Sequence, residues 1–349
     1  MATLTETAYY TRRAVNWFIL FIIGYFMLRI AWGLAAYAWV IFFPPKPVPP
    51  NHAFGRLPAL SFPEQASPSG ELSYRLETIE GGVPSASASA VVYFMPKSPA
   101  NLLALSRTQE FAERLGFDPT PIQETKSIYR FNDAAVPRRL RYDIVSNNFI
   151  IRYAFEEDAT LFIDRDFPSA EAAKNEAKSV LQTYKLAVDD IADGSLIVSF
   201  LRLSGNALVP TTSLSQADGV RVDIFRRAIE GIPVLTPYFN EAPVSFIFSG
   251  SRNPKKRMIQ FAYTYWPIDY ETTATYTLKP TTQAWEELQA GKGFILKYPA
   301  NGTTLTVRNV RIAYYDSFEP QNYLQPIYVF EGDEGFLGYV AAVASEWTE

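Results

Sequence analysis

Thirty residues, Ala14 to Phe43, read AVNWFILFIIGYFMLRIAWGLAAYAWVIFF with a single charge, Arg29. A helix over this stretch is about 45 Å long, against a hydrocarbon core of about 30 Å. It is long enough to span a bilayer with tilt. A buried helix of a soluble protein rarely exceeds about 20 residues. Ala36-Tyr37-Ala38 has the small-x-small form of a signal peptidase site, which keeps a cleaved leader open. Against cleavage, Trp39 to Phe43 stay apolar, and the run is far longer than the roughly 7–15 apolar residues of a leader. Arg12 and Arg13 precede the run, and the next cation is Lys46. The positive-inside rule therefore puts the N-terminus in the cytoplasm and the bulk of the chain outside. Trp17, Trp32, Tyr37 and Trp39 suit the two interfacial belts. Arg29 costs about 2.5–3.5 kcal/mol at mid-bilayer on insertion scales. It either snorkels along its aliphatic stem or meets an acidic residue of a partner helix.

Pro44, Pro45, Pro47, Pro49 and Pro50 follow at once. Such a run favours polyproline II at about 3.1 Å per residue. It reads as a spacer, with a ligand for an aromatic groove as the alternative. Pro58, Pro63 and Pro68 keep the next stretch irregular, so a Pro-rich linker is expected over 44–70. From residue 71 the pattern changes to short runs of strand type. Helices are expected from Ser98-Pro99, from Ser169 and over Thr281 to Ala290, where Gly291 ends the last. Leu102, Leu105, Phe111 and Leu115 fall near helical spacing in the first. Ser146-Asn147-Asn148 and Ser251–Lys255 are expected to turn hairpins, as is Asn301-Gly302. Strands in succession cannot all be parallel. The expected class is therefore α+β, with helix-plus-antiparallel-meander units in tandem. The divisions are a cytoplasmic tail 1–13, an anchor 14–43, the linker 44–70, and exterior units 71–165 and 166–349.

The chain has 349 residues, no Cys and one His. Disulfides, thiolate metal sites and Cys nucleophiles are excluded. Only His52, in the proline-rich stretch, is left for a Ser-His-Asp arrangement. The net charge of −4 gives no basic footprint for nucleic acid. Walker, GxSxG and GxGxxG motifs are lacking. Acidic clusters stand at Glu156-Glu157-Asp158, Asp164-x-Asp166, Asp189-Asp190-x-x-Asp193-Gly194 and Asp333-Glu334. The third starts like a calcium loop, but Ile191 and Phe200 occupy ligand positions, so a solvated loop is expected. Arg138-Arg139-x-Arg141 and Lys255-Lys256-Arg257 are expected to be solvated hairpin tips, with anionic lipid or polymer as the alternative.

Near the C-terminus, a helix carrying Ala284-Trp285 is followed by VRIAYYDSF and LQPIYVFEGDEGFLGYVAAV. Over about residues 280–345 this pattern resembles the closing unit of the extracytoplasmic regulators YycH and YycI, and more broadly PepSY-like domains. The resemblance carries no catalytic residue. It implies a membrane-anchored regulator that restrains or tunes a partner such as a sensor kinase.

The expectation is a non-enzymatic, single-pass, extracytoplasmic module that contacts lipid through 14–43 and binds or regulates a membrane or envelope protein. It needs no cofactor, metal or nucleic acid. The alternatives are a structural subunit of an envelope or secretion complex and an envelope hydrolase using carboxylates. Candidate contacts are Arg29 in the membrane and an aromatic surface of Tyr314, Tyr315, Tyr323 and Tyr328; sheet–helix packing is the other explanation of those tyrosines.

Overall fold

The computed structural model describes residues 4–42, 49–64, 72–79, 81–84, 86–99, 101–158, 160–238, 241–298 and 304–349. Two compact units emerge, Met1–Pro49 and Pro50–Glu349. The first holds α1 (Leu4–Phe42). Within it, Val15–Trp39 is long and apolar enough to cross a membrane. The stretch is apolar on every side, the composition of a helix with no aqueous face. Pro44, Pro45 and Pro47 lie outside the described residues.

The second unit mixes helix and strand, with strands dominant and in two sheets. The larger sheet has nine strands, all antiparallel to their neighbours. A meander of β3 (Ile122–Gln123), β4 (Ile128–Asn132), β5 (Arg138–Asp143) and β6 (Phe149–Tyr153) makes one half. The other half runs β12 (Met258–Tyr263), β11 (Val244–Phe248), β9 (Gly219–Phe225), β7 (Ser195–Ser204) and β8 (Ala207–Thr211). A helix precedes each half: α2 (Ala104–Arg114) and α3 (Ala170–Thr183). The halves join where β6 pairs with β12. Strands from both sides of residue 165 therefore share one sheet, so the division expected at 165/166 separates no sheets.

The smaller sheet follows the path β1 (Ser73–Leu76), β15 (Thr304–Tyr315), β16 (Tyr323–Gly332), β17 (Leu337–Ala341) and β14 (Phe294–Lys297). Off this path, β2 (Ser89–Phe94) pairs with β13 (Asp269–Thr277) and with β16, and β10 (Val234–Leu235) pairs with β15. The β1·β15 and β10·β15 pairs are parallel, which a meander does not foresee. β1 is an early strand docked on a sheet built mainly from the last third of the chain, and β10 crosses over to that sheet from β9 of the large one. Residues 301–303 lie outside the described residues, and the strands flanking them, β14 and β15, are not neighbours. They do not form the hairpin expected of Asn301-Gly302.

Local chemistry explains most helix bounds. The Ser169 hydroxyl accepts from the Ala172 N–H at 3.2 Å, a side-chain N-cap. One face of α3 then buries Ala173, Ala177 and Leu181 against the large sheet. In α6 (Thr281–Gln289), Ala284 and Leu288 pack on Tyr328, Phe330 and Val340 of the small sheet. Gly291, at φ +72°, follows that helix. The first of these helices starts later than Ser98-Pro99 suggests. Asn101 accepts from Leu103 N at 2.9 Å, α2 opens at Ala104, and Leu102 stands fully exposed.

The stretch expected to be linker is irregular but partly docked. Leu57 is fully buried, and backbone bonds join it to Trp347 and Glu349. His52 stacks on Trp347 at 3.6 Å, and Phe62 stacks on Phe294 at 5.4 Å. Proline limits pairing there to one isolated parallel bridge, Leu57 with Thr348, and Phe54, Leu57, Leu60 and Phe62 still find apolar places. The compact unit accordingly begins at Pro50, not at residue 71.

Candidate functional site

A cleft of about 830 Å³ opens between the two sheets. Its first wall is the start of β7 and the end of β9. Its second wall is Arg311, Glu331, Leu337 and Tyr339 of the small sheet. Between them runs the strap from Arg226 to Tyr238. The strap exists because the chain leaves β9 in one sheet and enters β10 in the other, pairing Val234 and Leu235 beside Tyr314 and Tyr315. It turns tightly at Glu230 and Gly231, both of positive φ, with Ile229 and Ile232 exchanging backbone bonds of 2.9 Å. Gly194 is required at the mouth, because a Cβ there would run into the Phe225 carbonyl oxygen.

The lining is mostly apolar. Ile197 is 54% exposed and Tyr238 is 40% exposed, values unusual for large side chains facing a concavity. Two ion pairs stand at the cleft: Arg227–Asp193 at 3.3 Å and Arg311–Glu331 at 2.7 Å. The Thr236 hydroxyl is spent on the carbonyls of Tyr238 and Glu241, 2.9 Å from each. A volume of this size is in the range that takes a small molecule or a short peptide, roughly 300–1,000 Å³. The arrangement offers apolar contact and ion-paired charges at its edge. Its carboxylates, Asp193 and Glu331, are each engaged by arginine.

Behind the wall, Arg226 is a buried pin. Its Nε donates to Asp316 Oδ2 at 2.6 Å, Nη1 pairs with Asp190, and Nη2 donates to the Trp266 carbonyl. Its guanidinium lies 4.5 Å from the centroid of the Tyr265 ring. The Tyr265 hydroxyl donates to Asp190 at 3.1 Å. The three ionic side chains are at most 4% exposed. They come from the end of β9, from α4 (Asp189–Ala192) and from just beyond β15, so the pin ties the large sheet to the small one. Two buried carboxylates face one guanidinium. Asp316 Oδ1 has no partner among the described residues, and burial raises the Asp316 pKa above the ordinary carboxylate range. Burial also pushes the Tyr270 phenol, beside Asp190, up to about 12.

The sequence-chosen residues land elsewhere. Tyr314, Tyr315 and Tyr328 are at most 2% exposed. Their hydroxyls donate to the carbonyls of Val91, Ser61 and Lys279 at 2.9, 3.3 and 2.8 Å. Tyr323 is half-buried and stacks on Phe54 at 4.9 Å. The four are core and packing residues, and they form no open aromatic surface. Arg29 is exposed midway along Val15–Trp39. His52 lies against Trp347 and hydrogen-bonds Thr277 Oγ1 at 3.1 Å, so it serves packing.

The charged clusters are solvated only in part: Asp164, Asp166, Asp193 and Asp333 are exposed, and other members turn inward. Asp190 is buried in the Arg226 pin. Lys255, Lys256 and Arg257 reach Asp133, Asp158 and Glu176 at 3.0, 2.6 and 3.0 Å. That basic run staples the 254–257 turn to three other segments. Arg138 is buried against Asp133 at 2.9 Å, while Arg139 and Arg141 stay half-exposed and pair with Glu157 and Glu124. Among the described residues no group of three or more His, Asp or Glu is placed to hold a metal ion. What sequence reasoning missed was Arg226, Asp316 and Ile197. The only local signal was Arg226-Arg227 directly after the apolar strand Val220–Phe225.

No family model matches the chain, and no curated protein matches it. Among solved structures, the crystal structure of an uncharacterized protein from Eubacterium rectale ATCC 33656 at 1.45 Å resolution is similar with a TM-score of 0.38. It is 13% identical, over 72% of this chain and 82% of that one.

Proposed function

We propose that the chain is a single-pass membrane protein whose residues 50–349 lie outside the cytoplasm and bind a protein partner without catalysing a reaction. The observation that carries this reading is the cleft, where Ile197 and Tyr238 stay exposed beside an apolar wall while the cleft's carboxylates are held by arginines. Exposed apolar surface in a concavity marks recognition. Arg12 and Arg13 before the apolar helix support the orientation. The resemblance of residues 280–345 to extracytoplasmic regulators agrees with a partner-tuning role.

The test is site-specific photocrosslinking in cells expressing the full chain. A photoreactive residue at 197 or 238 should yield one discrete adduct, and the same residue at exposed Ile79 or Leu102 should not. Equal labelling from all four positions would contradict the cleft as the binding surface. Protease added to wall-stripped cells should trim residues 50–349 and spare the anchor. Survival of that unit with loss of an N-terminal tag would invert the topology.

Arg29, exposed within the apolar helix, favours a second reading as a subunit that pairs inside the membrane. Under it, Arg29→Leu abolishes recovery of a partner from detergent. Unchanged recovery would remove it.

A further inference from the structure

The register of the large sheet leaves one strand half-paired. β9 lies along β7 from Ser195 to Leu201. On its other side, β8 pairs only with Phe200 to Ser204. Ser195–Ser199 thus has an edge with no backbone partner among the described residues. That edge adjoins the cleft, since Ser195 and Ile197 line it.

The direction of the free groups follows from Pro210, which lies opposite Leu201. Proline has no N–H, so this pair exchanges no bonds, and the neighbouring Phe200 is the residue that bonds to β8. Alternation then turns the N–H and C=O of Leu196 and Val198 to the open side, and those of Ser195, Ile197 and Ser199 towards β9. Pro210 itself guards the outer edge of β8 against added strands. The protection stops where the β8 pairing stops.

We infer that Ser195–Ser199 receives an extended segment of a partner protein as an added strand, with every second side chain of that segment directed into the cleft. The unpaired donors and acceptors of Leu196 and Val198 specify an extended backbone. Ile197, Phe225 and Leu235 on the cleft wall specify apolar residues at alternate positions, since side chains of a strand repeat on one face every second residue. This inference rests on the cleft being the binding surface and adds the chemical form of the partner.

The test uses the full chain in lipid nanodiscs and a random 12-residue peptide library displayed on phage. Enriched peptides should carry apolar residues at alternate positions. A synthetic copy of one should weaken at least tenfold when N-methylated on one set of alternate residues, and not when methylated on the other. Val198→Pro, which removes an N–H from the open side, should weaken it by a similar factor. Ile197→Lys should abolish it. Equal tolerance of both methylation sets overturns strand addition, while loss on Ile197→Lys would still place the peptide in the cleft. Tight binding to Ile197→Lys overturns both readings. Failure to enrich any peptide overturns the inference. So does a concentration-dependent dimer that Val198→Pro disrupts, because the edge would then belong to a second copy of this chain.

Discussion

β16 and β7 are both ten residues long and both rich in apolar side chains, yet they do opposite work. β16 has β15 on one side and β17, with β2, on the other. Every residue from Leu324 to Phe330 is buried. β7 has β9 on one side and β8 along only part of the other, and Ile197 stays exposed in a cleft. The difference teaches where recognition resides in this fold. A dense run of tyrosines measures packing, because aromatic area is most valuable when buried. An unpaired edge beside a concavity leaves backbone and side chains unspent, and only that leaves something for a partner to bind.

Substitutions can break this contrast, the largest effects coming from the buried strand. Phe330→Ala, at a fully buried site, should cost about 3–5 kcal/mol by removing ring contacts and leaving a cavity. Denaturant unfolding of the full chain in detergent would measure it. A loss under 1 kcal/mol would mean that β16 is not central to the core.

Arg226→Ala should cost about 3 kcal/mol or more, because it strands Asp190 and Asp316 without their cation. Asp316→Asn should cost far less, since it leaves Arg226 paired with Asp190 and strands no buried charge. Its pH signature has a definite sign. Burial raises the folded-state pKa of Asp316, so the folded state holds this proton more tightly than the unfolded state. Stability from this group is present at low pH and is lost as pH rises above the ordinary carboxylate pKa. Asp316→Asn should flatten that decline. A decline that persists unchanged would assign it to another group.

Tyr328→Phe should cost about 1 kcal/mol, the value of one buried hydrogen bond, here to the Lys279 carbonyl. Ile197→Lys should change stability by no more than about 0.5 kcal/mol, as surface substitutions do. A large destabilisation at Ile197 would make that residue core and close the contrast.

What the sequence disclosed was local. The apolar helix, the Ser169 cap, the Gly291 stop and the Asn147 turn between β5 and β6 are each written within a few residues, and the structure places them accordingly. The rest depends on distance along the chain. Arg226 meets partners 36 and 90 residues away, so neither Asp190 nor Asp316 could be told from a solvated carboxylate. The tyrosines near the C-terminus left surface and packing both open, because their hydroxyl acceptors are backbone carbonyls, two of them more than 200 residues away. The open edge of β7 is set by where β8 stops pairing, a matter of register that periodicity does not encode.

Amide hydrogen exchange of the full chain in detergent micelles, read residue by residue, tests the contrast most directly. Leu196 and Val198 should exchange rapidly while Ile197 between them is protected by β9, and Tyr328 and Phe330 should be among the slowest in the protein. Protection of Leu196 and Val198 equal to that of Ile197 would show their edge already occupied, and would contradict the assignment of β7 as the recognition strand.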